Sequence, residues 1–189
     1  MPETRTERSM TDAERWAFEQ AIVYFAGPLA EARARRPKAD GFRTLLYAER
    51  ERAIHEVGHA VAAAVVGYHV LELSIVPNET RRTPNGQFHS GGFCSAAASE
   101  DAEESQPTKT VTRDSTQIVA LAWLMTPCEG NSRPSWKALR RTVRQFRQTA
   151  ESIIGQHWLM ILALASELER KKTMNRAEIQ RYVRVKANR

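Results

Sequence analysis

Cysteine is scarce. The 189 residues carry only Cys94 and Cys128, far apart and in no Cys-x-x-Cys pair. A disulfide framework is therefore not expected, and a reducing cytoplasmic setting is the simplest one. Long apolar runs are missing too. The longest, around Ile118–Met125 and Trp158–Ala165, fall far short of the roughly 20 residues a membrane-spanning helix needs. The first thirty residues are highly charged and lack a basic, then apolar, then small-residue order, so no signal peptide is expected. No Gly-x-x-x-x-Gly-Lys-Ser/Thr occurs, so nothing suggests ATP binding, and no solenoid-type repeat is visible. Nor is there a run of five or more like charges. The net charge of +6 comes from 28 basic residues against 22 acidic ones, spread over several segments. That reads as Arg-rich helices of a soluble protein rather than a nucleic-acid-binding protein.

What is present suits a single domain. Apolar residues make up 42% of the chain, enough for a real core. Residues 1–10 read as a disordered tail, and 11–189 as one mainly α domain with a small β-sheet. Thr11 or Asp12 can cap a first helix over about 12–36, which Pro28 should kink or restart. Pro37–Gly41 is a turn. A second helix follows from Phe42 to Val66, with Ile54, Val57, Val61 and Ala64 at helical spacing and Gly67 placed to end it. Val70–Val76 alternates as a strand, stopped by Pro77. Gly86–Ser95 is a candidate second strand, with Gly91 and Gly92 at a bend. Residues 96–113 read as a mobile loop. Ser115–Met125 is an apolar helix for which Asp114 is a natural cap. A long amphipathic segment from Ser135 to Lys171 divides near Gly155. Its inner stripe is Leu139, Val143, Phe146, Ala150, Ile153 and Ile154. Its basic stripe of Lys137, Arg140, Arg141, Arg144 and Arg147 reads as a solvated face, since no aromatic platform accompanies it. Trp136 and Trp158 are assigned to the core. Asn175 with Glu178 resembles a capping box for a last helix to about Val185.

Within the second helix stands His55-Glu56-Val57-Gly58-His59. Two His four positions apart lie one turn apart on nearly one side of a helix, so both imidazoles can reach one metal ion. Glu56 lies between them, where its carboxylate can take a proton from a water on that ion. This is the minimal equipment of a zinc hydrolase, with Zn2+ held by His55 and His59 and Glu56 as general base. The bland alternative is a helix that happens to carry two packed or solvated His.

The flanks sharpen the reading. Ala48–Val61, with its His-Glu-Val-Gly-His-Ala, resembles the zinc helix of FtsH-type metallopeptidases. The following strand Val70–Pro77, Gly91-Gly92-Phe93 and the closing segment Leu164–Ile179 are also similar to that family. The resemblance spans about residues 47–185 and is strongest over 48–77. It implies a helical metallopeptidase-like domain, a zinc helix followed by a short β-hairpin, and hydrolysis of peptide bonds; with no ATPase part to unfold a folded protein, the expected substrates are peptides or unfolded protein. The chain departs from the family pattern after the strands. There the family has an Ala-Gly-x-x-Ala-Glu helix and then an Asp that is its third zinc ligand. Here Leu121–Glu129 is a degraded copy, and the place of the Asp falls near Ser135-Trp136. A better copy, Ala26-Gly27-Pro28-Leu29-Ala30-Glu31, lies upstream of the zinc motif, suggesting a permuted or duplicated element. In it Glu31 reads as a helix-end surface carboxylate and Gly27 as a site of close helix packing.

The third ligand stays open among Asp40, Asp114, Cys128, Glu129, Glu151 and water alone. Asp40 follows the good copy. Were it on one helix with His55, the two would stand about 22 Å apart, so a break would be needed. Asp114 and Glu151 have bland readings as a cap and a surface residue. His157 reads as packed beside Trp158, and His69 and His89 as surface residues. Three functions follow: a zinc metallopeptidase; a catalytically impaired member of that fold acting as a binding or regulatory module; and, well behind, a basic helical nucleic-acid-binding protein. Oligomeric state is open.

Overall fold

The computed structural model describes residues 10–34, 45–76, 93–97, 114–126 and 133–183. Helix α1 spans Asp12–Ala34 and α2 spans Leu45–Val65. Strands β1, His69–Ser74, and β2, Phe93–Ala97, follow. Then come α3, Asp114–Met125; α4, Trp136–Gln156; α5, Trp158–Lys171; a short strand β3, Thr173–Asn175; and α6, Arg176–Gln180. The domain is mainly α with a small antiparallel sheet, as the sequence indicates.

Local chemistry sets several of the helix ends. Thr11 caps α1. Its hydroxyl accepts from the Glu14 backbone N–H, while the Glu14 carboxylate accepts from the Thr11 backbone N–H, a reciprocal capping box. Pro28 does not divide α1. It removes one backbone donor, yet the helix continues through it to Ala34 and buries Ala26, Gly27 and Ala30. Gly67 ends α2 at φ +98°, a conformation only glycine adopts freely. Its N–H donates to the Ala64 carbonyl and that of Tyr68 donates to Ala63, satisfying two terminal carbonyls. Ser135 caps α4, the break to α5 falls at His157 rather than Gly155, and the Asn175–Glu178 capping box opens α6.

The sheet has the order β2-β1-β3, antiparallel throughout. β1 is therefore central. It pairs Leu73 with Cys94 on one side and with Met174 on the other. A bulge interrupts the β1–β2 pairing between Val70 and Glu72. The third strand, Thr173–Asn175, is a correction to the sequence reading, which has no strand there. The second strand also runs to Ala97, into what reads as loop. Residues 77–92 and 98–113 lie outside the described residues, as does the Pro37–Gly41 turn.

Two apolar clusters hold the elements together. The larger joins α1, α2, α4, α5 and the sheet through residues such as Ile54, Val57, Val61, Leu73, Ile154, Leu164 and Met174. The smaller joins α1, α3 and α4 around Phe146, which is fully buried and meets Phe18 edge-on. Truncating such a Phe to Ala costs about 3–5 kcal/mol. Together they clamp α1 between α2 and α3. Trp136 is 65% exposed and does not join either cluster, contrary to its assignment to the core. No described helix is long and apolar enough to cross a membrane.

Candidate metal centre

Three elements far apart in sequence converge here. α2 supplies His55, Glu56 and His59. α1 lies against α2, and α3 starts beside it with Asp114. Two glycines allow the close approach of α1. A Cβ on Gly58 would lie 2.7 Å from the Ala26 carbonyl oxygen and 2.8 Å from the Ala30 Cβ. A Cβ on Gly27 would lie 2.3 Å from His59 Nε2. The glycine inside the His-Glu-Val-Gly-His motif is thus the seat of the α1 backbone. Gly27 makes room for the His59 ring, a more specific role than the packing expected of it.

The His55 and His59 rings stand edge to face with centroids 4.7 Å apart. Their Nε2 atoms approach to 3.1 Å. Asp114 Oδ2 lies 3.3 Å from His55 Nε2 and 3.5 Å from His59 Nε2. Among the described residues these three form the group able to hold a metal ion. Asp114 therefore does more than start a helix. Glu151 lies elsewhere, paired with Arg147 on an exposed face. Asp40, Cys128, Glu129 and His89 are outside the described residues. Ser135-Trp136, where the resemblance places an Asp, is the capped start of α4.

The donor set fits zinc. Tetrahedral Zn–N and Zn–O bonds of about 2.0–2.2 Å put neighbouring ligand atoms about 3.3 Å apart. The observed triangle has edges of 3.1, 3.3 and 3.5 Å. Two His and one carboxylate are also the composition of an open, catalytic site rather than a closed structural one.

The outer contacts set the imidazole tautomers. His59 Nδ1 lies 2.7 Å from the Val23 carbonyl oxygen. A carbonyl can only accept, so Nδ1 carries the proton and Nε2 is left with a lone pair. His55 Nδ1 lies 3.0 Å from Glu31 Oε2, where it donates in the same way. Both rings thus direct Nε2 at the same point. Glu31 is part of this site and not a surface carboxylate, which corrects the sequence reading. No signal in the zinc motif itself announces Glu31; it comes from the Ala-Gly-Pro-Leu-Ala-Glu segment of α1.

Electrostatics match the geometry. Burial alone would lower the His55 pKa, but hydrogen bonds to Asp114 and Glu31 and the nearby Glu56 charge outweigh it and push it up to about 10. Burial likewise opposes ionisation of Asp114, yet His55 and His59 hold its carboxyl well below the usual range. Without a cation the site is thus an ion pair of protonated His55 with ionised Asp114. Glu56 is 6% exposed. Burial, then the Glu56 charge, raises the pKa of the Cys94 thiol on β2.

Comparison with known protein families, curated proteins and solved structures finds no match to this chain.

Proposed function

We propose that the chain is a zinc-dependent hydrolase of peptide bonds, similar to FtsH-type metallopeptidases, with His55, His59 and Asp114 as the metal ligands. The observation that carries this reading is the convergence of His55 Nε2, His59 Nε2 and Asp114 Oδ2 with edges of 3.1–3.5 Å. The element order supports the resemblance in a permuted form. The Ala-Gly-x-x-Ala-Glu segment arrives on α1 from upstream of the motif, while the Asp arrives after the strands, as in the family. His55, His59 and Asp114 would hold the zinc ion, which when bound would supply Lewis acidity towards water and a substrate carbonyl. Glu56 would take the proton of the attacking water and pass it to the leaving amine as the peptide bond breaks. Glu31 and the Val23 carbonyl keep each imidazole in its ligating tautomer. β2 has one open edge among the described residues and packs against α2, so an extended peptide can add to it as a further strand. The substrate class is peptide or unfolded protein.

The test is zinc content and casein hydrolysis of three purified forms. The parent chain is expected to hold one zinc and cleave unfolded casein. His59→Ala is expected to lose both. Glu56→Gln is expected to keep zinc and lose cleavage. Zinc bound equally by His59→Ala sinks the site, and casein cleavage that survives Glu56→Gln sinks the mechanism. Full zinc loading without cleavage by the parent chain favours the second reading, an impaired member of the fold acting as a binding module.

A further inference from the structure

The outer face of α4 is cationic over its N-terminal half. The helix turns Leu139, Phe146, Ala150, Ile153 and Ile154 into the core. Lys137, Arg140, Arg141, Arg144 and Arg147 are all exposed on it, and Arg133 precedes it. The sequence has no acidic residue from Asn131 to Ala150. Among the described residues the one ion pair on this face is Arg147 Nε with Glu151 Oε1 at 2.8 Å. A solvated helix face commonly relieves such crowding with acids at i+4. This one does so once, at its C-terminal half, and leaves Lys137 to Arg144, about 10 Å of helix, purely cationic.

The N-terminal end of that face carries Trp136, 65% exposed, with the Arg140 guanidinium 5.1 Å from its ring centroid. On sequence alone the basic stripe has no aromatic platform, and Trp136 is assigned to the core. The fold places the ring on the surface, beside the cations. A row of cations that tracks phosphates and an open ring on which a base can stack are the two parts of a single-strand binding surface. We infer that α4 binds single-stranded nucleic acid, with Lys137, Arg140, Arg141 and Arg144 on phosphates and Trp136 under a base. A membrane surface fits less well, because an interfacial helix inserts an apolar face and that of α4 is already spent in the core. None of these residues belongs to the metal centre, so this inference and the proposed hydrolase stand or fall separately.

Fluorescence anisotropy with a labelled dT20 oligonucleotide tests it on the full chain. Four phosphate contacts predict a log–log salt slope of about −2.8, or about 50-fold weaker binding at 200 mM than at 50 mM salt. Arg141→Glu with Arg144→Glu, both at exposed positions, is expected to weaken binding at least tenfold and flatten the slope, with circular dichroism and zinc content unchanged. Trp136→Ala is expected to weaken it about fivefold or more with the slope kept, the low end of base stacking. Absence of dT20 binding at 50 mM salt overturns the inference. So does equal binding by the double charge variant. Binding to phosphatidylserine vesicles or polyglutamate in place of dT20 overturns it in favour of a general anion patch. Duplex bound as well as dT20, with no effect of Trp136→Ala, overturns the stacking role.

Discussion

Gly27→Ala tests whether the metal centre depends on how closely α1 approaches α2. On an open helix surface this change stabilises by about 1 kcal/mol, because Ala costs less backbone entropy than Gly. Here the new methyl would lie 2.3 Å from His59 Nε2, 2.5 Å from Cε1 and 2.7 Å from Cδ2. Ordinary contact begins near 3.4 Å, so the ring must retreat by about 1 Å. The Val23 hydrogen bond at 2.7 Å would then stretch past its useful range. Overpacking of this kind costs about 1–3 kcal/mol, so net stability in chelator should fall between no change and about 2 kcal/mol lower. Metal binding is far less tolerant. Ligand distances must hold to about 0.2 Å, and loss of an outer-shell partner alone costs about 10–100-fold in affinity. We expect zinc affinity, measured by competition with a chromophoric chelator, to fall at least about 100-fold. Gly155→Ala is the control, since its Cβ would meet only Arg33 Nη1 at 3.6 Å. That variant should keep zinc and gain up to about 1 kcal/mol. Parental zinc affinity in Gly27→Ala would refute both the packing argument and His59 as a ligand.

Other expectations follow from the same contacts. Glu31→Gln should retain the fold by circular dichroism and weaken zinc about 10–100-fold, because an amide orients His55 less firmly than a carboxylate; unchanged affinity would return Glu31 to a bystander. In chelator, the His55–Asp114 pair makes stability pH-dependent. The His55 pKa is raised from 6.5 to about 10, so its contribution is full below about 6.5 and is lost as pH rises through 10. The Asp114 pKa is lowered from 3.8, so its contribution is present above 3.8 and is lost as pH falls below it. Thermal melts of the metal-free chain should therefore be highest between about pH 4 and 6.5, and His55→Gln should flatten the alkaline limb; a limb that persists in that variant belongs to another group. Asn175→Ala removes the α6 cap and should cost about 1 kcal/mol in urea unfolding, with zinc binding intact.

The periodic and capping signals of this chain are local, and they determined most of the fold. The α2 stripe, the Gly67 stop, the Ser135 start and the Asn175–Glu178 box each depend on residues within a turn or two, so they are legible without a structure. The pair His55 and His59 is legible for the same reason, since four residues along a helix fix their common side. The rest of the site is not local. Asp114 looks like a helix start and Glu31 like a helix end until α1 and α3 are laid against α2. No spacing along the chain relates residues 31, 55 and 114. β3 escaped notice because three residues carry no period of their own and become a strand only by pairing with Glu72–Ser74. Trp136 went the other way: its type favours burial, but the turn it occupies faces solvent. The sequence by itself thus determined the helices and the two imidazoles. Only the tertiary structure decided the third ligand, the carboxylate behind His55 and the exposed ring on α4, because each depends on which helix faces lie against one another.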